Sequence, residues 1–303
     1  MTIMTAPSGI DAIRKTFGHA SDEEWLNILI RSIDEPLIDG VLMPSFPSSE
    51  TQISLQGSSG QAALEHAFRF YQEAKAYAAF CGRPFRDGRR LLDFGAGWGR
   101  IIRMFMRDFN ARDLYGAEPE AENAALCRAC NPYVNVLASD FVPPLMAPDS
   151  AFDYVTAFSV FTHLDEYAAN RWMEEFARIL KPGGVVIFTT MPRAYLGYCA
   201  QLRSELAGAA DHSTAEMRVK ASVAASFPQL AEAEHAYDRG EFLFSPSMGV
   251  PPSSHARWGW TLISPAYIER YWSKTFHVVD YVEDGQRLDQ ALVVLQRRIN
   301  PEL

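Results

Sequence analysis

Leu91-Leu92-Asp93-Phe94-Gly95-Ala96-Gly97-Trp98-Gly99-Arg100 is the stretch that decides how this chain folds. A short apolar strand runs into three alternate glycines, after which Ile101, Ile102, Phe105 and Phe109 recur at the spacing of a helix. The glycines therefore occupy a sharp turn at the carboxyl end of a strand, where missing side chains let backbone approach a ligand closely. Such turns also arise without ligands, so the surroundings decide. Leu114-Tyr115-Gly116-Ala117-Glu118-Pro119 reads as a second strand ending in an acid 23 residues after Gly95. From that position a carboxylate accepts hydrogen bonds from a ribose, the plain alternative being a solvated strand end. The spacing also separates ligands: a dinucleotide loop wants a small residue where Arg100 stands, and the third glycine comes one position early at Gly99, which disfavours a pyrophosphate clamp.

Outward from this loop, short apolar runs alternate with amphipathic stretches, the pattern of strands and helices wound into a parallel sheet. Strands are expected at Leu91–Phe94, Leu114–Ala117, Val134–Ala138, Phe152–Phe158, Val185–Thr190, Phe276–Val282 and Ala291–Arg297, with helices at Pro119–Cys130 and Glu166–Leu180, the latter closed by Lys181-Pro182-Gly183-Gly184. Residues 1–89 read as a helical extension: a helix capped by Ser21, irregular chain over Glu35–Ser49, and a long helix from Gln61 to Phe80. The Gly57-Ser58-Ser59-Gly60 run before it reads as a plain cap rather than a carboxylate site. Residues 90–303 form the main domain. Within it, 192–262 interrupts the rhythm with aromatics, prolines and a helix near Thr214–Phe227, and is expected to be an inserted lid or substrate segment.

Composition narrows the function. With 303 residues, 48% of them hydrophobic, the chain can bury a full core. The 37 acidic and 28 basic residues leave a net charge of −9, so no general field gathers nucleic acid or anionic lipid. No apolar run approaches the ~20 residues of a membrane span, and the expected compartment is the cytoplasm. The four cysteines, Cys81, Cys127, Cys130 and Cys199, are too few and scattered for a disulfide framework. Cys127 and Cys130 form one CxxC without a second pair, in a helix where that spacing shares a face anyway, so no metal site is expected.

Asp93-Phe94-Gly95-Ala96-Gly97-Trp98-Gly99 resembles the DxGxGxG motif of the class I S-adenosylmethionine-dependent methyltransferases. The resemblance extends over about Arg90–Thr190 and returns at the last two strands. It implies a doubly wound, Rossmann-like α/β sheet of seven strands with the last antiparallel, and S-adenosylmethionine as cofactor, leaving S-adenosylhomocysteine as product. Asp93, Gly95, Ala96, Gly97, Trp98 and Gly99 then form the cofactor loop, Glu118 beside Pro119 is the ribose acid, and Asp140-Phe141 is the adenine-contacting pair. Backbone carbonyls of Phe158 and Ser159 would face the methionine amino group, although their side chains fit plain packing equally well. Leu180-Lys181-Pro182-Gly183-Gly184 resembles a family turn that marks the fold more than the chemistry, and Trp98 departs from the family in being bulkier than the common loop residue.

Methyl transfer from a sulfonium is an in-line displacement, so a protein mainly supplies alignment, which can contribute up to roughly 7 to 11 kcal/mol. A general base adds ~10² to ~10⁴ in rate when the acceptor is a neutral hydroxyl or a protonated amine. His163, shortly after the fourth strand, is placed by the resemblance near the reactive end of the cofactor; its bland role is to orient the loop before Asp165. The acceptor pocket is expected among Tyr195, His255, Trp258 and Trp260, which could equally be the core of a small cap or a dimer contact. The expected activity is O- or N-methylation of a small molecule, with homodimerisation possible and metal use unindicated. The rivals are a nicotinamide-dependent oxidoreductase and a non-catalytic scaffold that keeps a nucleoside pocket.

Overall fold

The structure, a computed structural model, describes residues 9–207, 214–246 and 259–299. Contacts divide the chain into two compact units: Met1–Asp140 with Leu145–Thr156, and Phe141–Pro144 with Ala157–Leu303. The expected extension, 1–89, lies within the first unit, and the expected insert, 192–262, within the second.

The first unit begins with α1 (Gly9–Phe17) and α2 (Asp22–Arg31). Ser21 caps α2 by accepting from the Glu24 amide, and the Glu24 carboxylate accepts from the Ser21 amide in return. Such a cap contributes about 1 kcal/mol. The stretch read as irregular is ordered: β1 (Leu37–Ile38) and β2 (Val41–Leu42) form a hairpin, and α3 (Ser49–Gln56) follows. Asp39-Gly40, both at positive φ, make the two-residue turn that right-twisted strands favour. Strands two residues long carry no alternation to betray them.

Helix α4 (Gly60–Phe80) turns Ala63, Leu64, Ala67, Phe68, Phe70, Tyr71, Ala74 and Ala78 inward. Its start corrects the expected plain cap. Ser59 makes no side-chain capping bond, and the Gly60 amide instead donates to Gln52 Oε1 at 3.0 Å.

After β3 (Leu91–Phe94) the chain winds as a 3₁₀ helix over Ile102–Arg107, not as the amphipathic α-helix that the apolar spacing predicts. All six of its residues are buried, so packing acts on every side of the segment rather than on one stripe. β4 (Leu114–Glu118), α5 (Ala121–Cys130), β5 (Asn135–Ala138) and β6 (Phe152–Ala157) complete the set. β3 pairs in parallel with β4 on one side and with β6 on the other, and β5 adds in parallel outside β4. The chain thus reverses its winding between β3 and β6, the switch point at whose strand ends α/β sheets bind ligands.

In the second unit, Asp165 caps α6 (Glu166–Ile179). The helix is not closed by the glycine pair: Leu180, at φ −74° and ψ 145°, already leaves it and starts β7 (Leu180–Thr190). Pro182 cannot continue a helix and biases Lys181 toward extended backbone, which ends the helix early.

The insert supplies α7 (Ala194–Glu205), α8 (Ala215–Ala225), α9 (Leu230–Asp238) and a hairpin of β8 (Phe242–Pro246) with β9 (Gly259–Ile263). These elements share a core of Met191, Leu196, Cys199, Leu202, Phe227, Tyr237 and Leu262 with Tyr195. After α10 (Pro265–Trp272) come β10 (Phe276–Val282) and β11 (Ala291–Arg297). The sheet order is β10-β11-β7-β6-β3-β4-β5, and β11 runs antiparallel to both of its neighbours. This is the doubly wound sheet that the motif implies.

Candidate active site

The glycine loop is folded by backbone bonds to the neighbouring strand. Gly95 and Ala96 amides both donate to the Ala117 carbonyl, at 2.8 and 3.0 Å, and the Gly99 amide donates back to Ala96 at 2.8 Å. Gly97 and Gly99 have φ of 52° and 88°, where L side chains are strained. They differ in what surrounds them. A Cβ on Gly99 would lie 2.2 Å from Asn131 Nδ2, whereas beside Gly97 nothing stands within 4 Å.

Glu118 ends β4 buried against this loop. Its Oε2 accepts from the Gly97 amide at 2.8 Å and its Oε1 from the Glu120 amide at 3.1 Å. Burial raises the carboxyl above its usual range, while those amides and the Asn123 side chain oppose the rise. An ionised carboxylate has about four lone-pair positions, so Glu118 keeps acceptor capacity for ribose hydroxyls.

Asp93, at the end of β3, is also buried. Its Oδ1 accepts from Thr156 Oγ1 at 3.1 Å, while Oδ2 has no hydrogen-bond partner of ordinary geometry. Burial pushes this carboxyl up to about 7, against the Thr156 hydroxyl and the Arg100 charge. Asp140 is exposed just beyond β5, and the preceding Ser139 carries a buried hydroxyl with no partner. Two polar atoms thus stand unpaired, open space lies beside Gly97, and Glu118 has acceptor sites to spare. That set fits an adenosine bearing an amino-acid tail, and Ser139 is a residue that motif reading alone passes over.

Trp98 has a structural partner for its bulk. The Arg103 guanidinium lies 4.4 Å from the Trp98 ring centre and 4.3 Å from that of Phe46, while the indole N–H donates to Gln56 Oε1 at 3.0 Å. Arg103 also donates to the Gly99, Ser45 and Asn131 oxygens. Asn131 in turn donates to the Trp98 carbonyl at 2.8 Å. Arg100, which argued against a dinucleotide loop, is buried, donates to the Ala63 carbonyl at 3.3 Å and meets His66 Nδ1 at 3.2 Å.

In the second unit, Phe158 is buried immediately after β6 and Ser159, the next residue, sits at φ 59°. The Phe141 carbonyl accepts from the Trp172 indole at 2.9 Å.

His163 is held by β9, a strand that the irregular reading of the insert did not foresee. The Gly259 amide donates to the His163 carbonyl at 3.1 Å, the Thr261 amide to Thr162 at 2.8 Å, and Thr261 Oγ1 to Leu164 at 2.6 Å. The His163 ring lies 2.9 Å, through Nδ1, from the Gly259 carbonyl. A carbonyl only accepts, so Nδ1 carries the hydrogen and the lone pair of the neutral ring is on Nε2. Burial lowers the imidazole pKa, the Gly259 carbonyl opposing it, so the ring is neutral at pH 7. Gly259 is required by this register, since a Cβ there would meet the Ser245 carbonyl at 2.2 Å.

The Trp260 ring lies 5.1 Å from His163 and 5.5 Å from Tyr195, whose hydroxyl is buried beside the Cys199 thiol. The Trp260 indole donates to Ser222 Oγ at 3.1 Å. His163, Trp260 and Tyr195 are therefore brought together, while His255 and Trp258 lie outside the described residues. None of the four cysteines is in a disulfide, and burial pushes Cys127 up to about 12, which makes it a poor nucleophile and ligand. Among the described residues no group of His, Cys, Asp and Glu could hold a metal ion, and no helix is long and apolar enough to cross a membrane.

Residues 63–236 match the methyltransferase domain family. The chain belongs to that family, and S-adenosylmethionine is the cofactor that goes with its class I members. It is 25% identical over 101 residues to an uncharacterized methyltransferase of Oceanobacillus iheyensis, a match covering 33% of this chain and 45% of that relative's length. An S-adenosylmethionine-dependent methyltransferase from Clostridium acetobutylicum superposes with a TM-score of 0.49 at 11% identity, over 76% of this chain and 91% of the other. An amino pentose methyltransferase from Micromonospora echinaspora, solved with S-adenosylmethionine, gives 0.49 at 17% identity, over 83% and 97%.

Proposed function

We propose that this methyltransferase moves the methyl group of S-adenosylmethionine to an oxygen or nitrogen of a small-molecule acceptor, with His163 as general base. The observation that carries the reading is the His163 tautomer: a neutral ring with its hydrogen pinned on Nδ1 and its lone pair on Nε2. When bound, the cofactor supplies an electrophilic methyl on a sulfonium. Glu118 holds the ribose, Gly95, Ala96, Gly97, Trp98 and Gly99 line the loop, and Pro119 shapes the turn after the acid. Asp140 and Phe141 are the adenine residues, and the Phe158 and Ser159 carbonyls receive the ammonium end. Asp93 belongs to the glycine-loop motif, where a cationic group would satisfy its unpaired oxygen and favour its charged form.

Nε2 of His163 takes the proton that a hydroxyl or ammonium acceptor must lose. Trp260 and Tyr195 offer aromatic faces with a polar tip to the acceptor, with His255 and Trp258 in the same role. Residues 1–89 act as an extension and 192–262 as the acceptor-side segment. The acidic charge favours a small acceptor over nucleic acid, a cytoplasmic setting agrees with it, and homodimerisation is open to test.

The test is incubation with methyl-labelled cofactor and a metabolite extract, in which label is expected in a small molecule; a purely binding protein would label nothing. Once an acceptor is in hand, His163→Gln is expected to lower kcat by roughly 10² or more while cofactor affinity stays within about twofold of wild type. The wild-type rate should decline on the acid side at a pH below 6.5, because burial lowers this imidazole. Full activity of the variant would make His163 structural.

A further inference from the structure

Ser159 has φ 59°, a region that residues other than glycine, asparagine and aspartate enter reluctantly. A closed ring of hydrogen bonds holds it there. The Ser159 amide donates to Thr189 Oγ1 at 2.8 Å, the Thr189 hydroxyl donates to Gln290 Oε1 at 2.5 Å, and Gln290 Nε2 donates to Ser159 Oγ at 3.0 Å. Thr189 lies fully buried on β7, and Gln290, 9% exposed, precedes β11. A buried amide side chain is costly unless both of its ends are bonded, and here both are. The partners come from β7 and from the residue leading into β11, so the turn is fixed by distant chain rather than by local sequence.

We infer that Gln290 and Thr189 are positioning residues for the cofactor: the ring they close with Ser159 sets the Phe158–Ser159 backbone that receives the ligand's α-ammonium. The inference rests on the proposed role of those two carbonyls. Neither side chain takes part in the transfer itself. Both act through a conformation that serine does not hold unaided, which explains why a buried glutamine stands where an apolar residue would otherwise pack.

Two ligands separate positioning from general support. S-adenosylhomocysteine carries the ammonium end, and 5′-methylthioadenosine has the same nucleoside thioether without it. In calorimetric titrations of the full chain, Gln290→Met is expected to weaken S-adenosylhomocysteine by about tenfold, a coupling typical of groups sharing one network, and to leave methylthioadenosine within about twofold. Thr189→Val, which opens the same ring from β7, should follow that pattern. Ser159→Gly can take positive φ without the ring. Added to Gln290→Met, it should restore most of the lost affinity.

The inference is overturned if Gln290→Met and Thr189→Val bind like wild type, if they lose both ligands equally, or if Ser159→Gly rescues nothing. Wild-type protein that binds methylthioadenosine tightly and gains nothing from the amino-acid end would refute the ammonium role of the carbonyls. Wild type that binds neither ligand would remove the cofactor reading and this inference with it.

Discussion

Glu118 and Asp93 are two buried carboxylates that their surroundings separate. Glu118 is met by two backbone amides and retains charge-assisted acceptor capacity. Glu118→Ala is therefore expected to weaken S-adenosylhomocysteine by roughly tenfold or more, since such a contact contributes ~1.5 to ~3 kcal/mol; an unchanged dissociation constant with an unchanged circular dichroism spectrum would refute its ribose role. Asp93 has one oxygen unpaired, and its folded pKa stands near about 7 against 3.8. The native state then binds more protons than the unfolded chain between those values, so stability without ligand falls as pH rises through that window. Asp93→Asn should flatten the dependence of melting temperature on pH over that range while reducing cofactor affinity. If wild type and variant showed parallel slopes, Asp93 would be ionised throughout. Glu118 was legible as a candidate from its place at a strand end and Asp93 from the motif resemblance, but the unpaired oxygen could be seen only once Thr156 was placed beside it.

Among the elements, the glycine loop shows most clearly how packing completes a motif. Trp98 departs from the family pattern, yet its indole is fastened to Gln56 and packed against Arg103, which also meets the neighbouring Phe46 ring. Arg103→Met keeps the aliphatic bulk but strips donors from the Gly99, Ser45 and Asn131 oxygens. It is expected to cost about 2 to 4 kcal/mol, the range for breaking a buried network, read as a lower urea midpoint at constant slope. A change under about 0.5 kcal/mol would mean that the stack is incidental. Long elements with a one-sided pattern, such as α4 and α6, were legible because burial of a single face leaves a period in the sequence. The β1–β2 hairpin, the 3₁₀ segment and β9 were not: the first is too short for a period, the second is buried all round, and β9 owes its place to bonds with the His163 loop.

For the whole molecule, the family and the sheet order make ligand-linked stabilisation the broadest check. At S-adenosylhomocysteine concentrations near a hundred times the dissociation constant, mass action adds about 2.7 kcal/mol. For a chain of this length that is a rise of roughly 3 to 5 °C in melting temperature. NADH at the same concentration should give no rise, and a shift with NADH alone would revive the oxidoreductase reading.

By itself the sequence determined the winding of the sheet, the glycine turn and the acid that ends the next strand, because strand-turn-helix periodicity and glycine spacing are local properties written in consecutive residues. Only the tertiary structure decided the tautomer of His163, the partner of Trp98 and the ring through Thr189 and Gln290. Each depends on groups tens of residues apart meeting at hydrogen-bond distance, and no pattern along the chain encodes such a meeting.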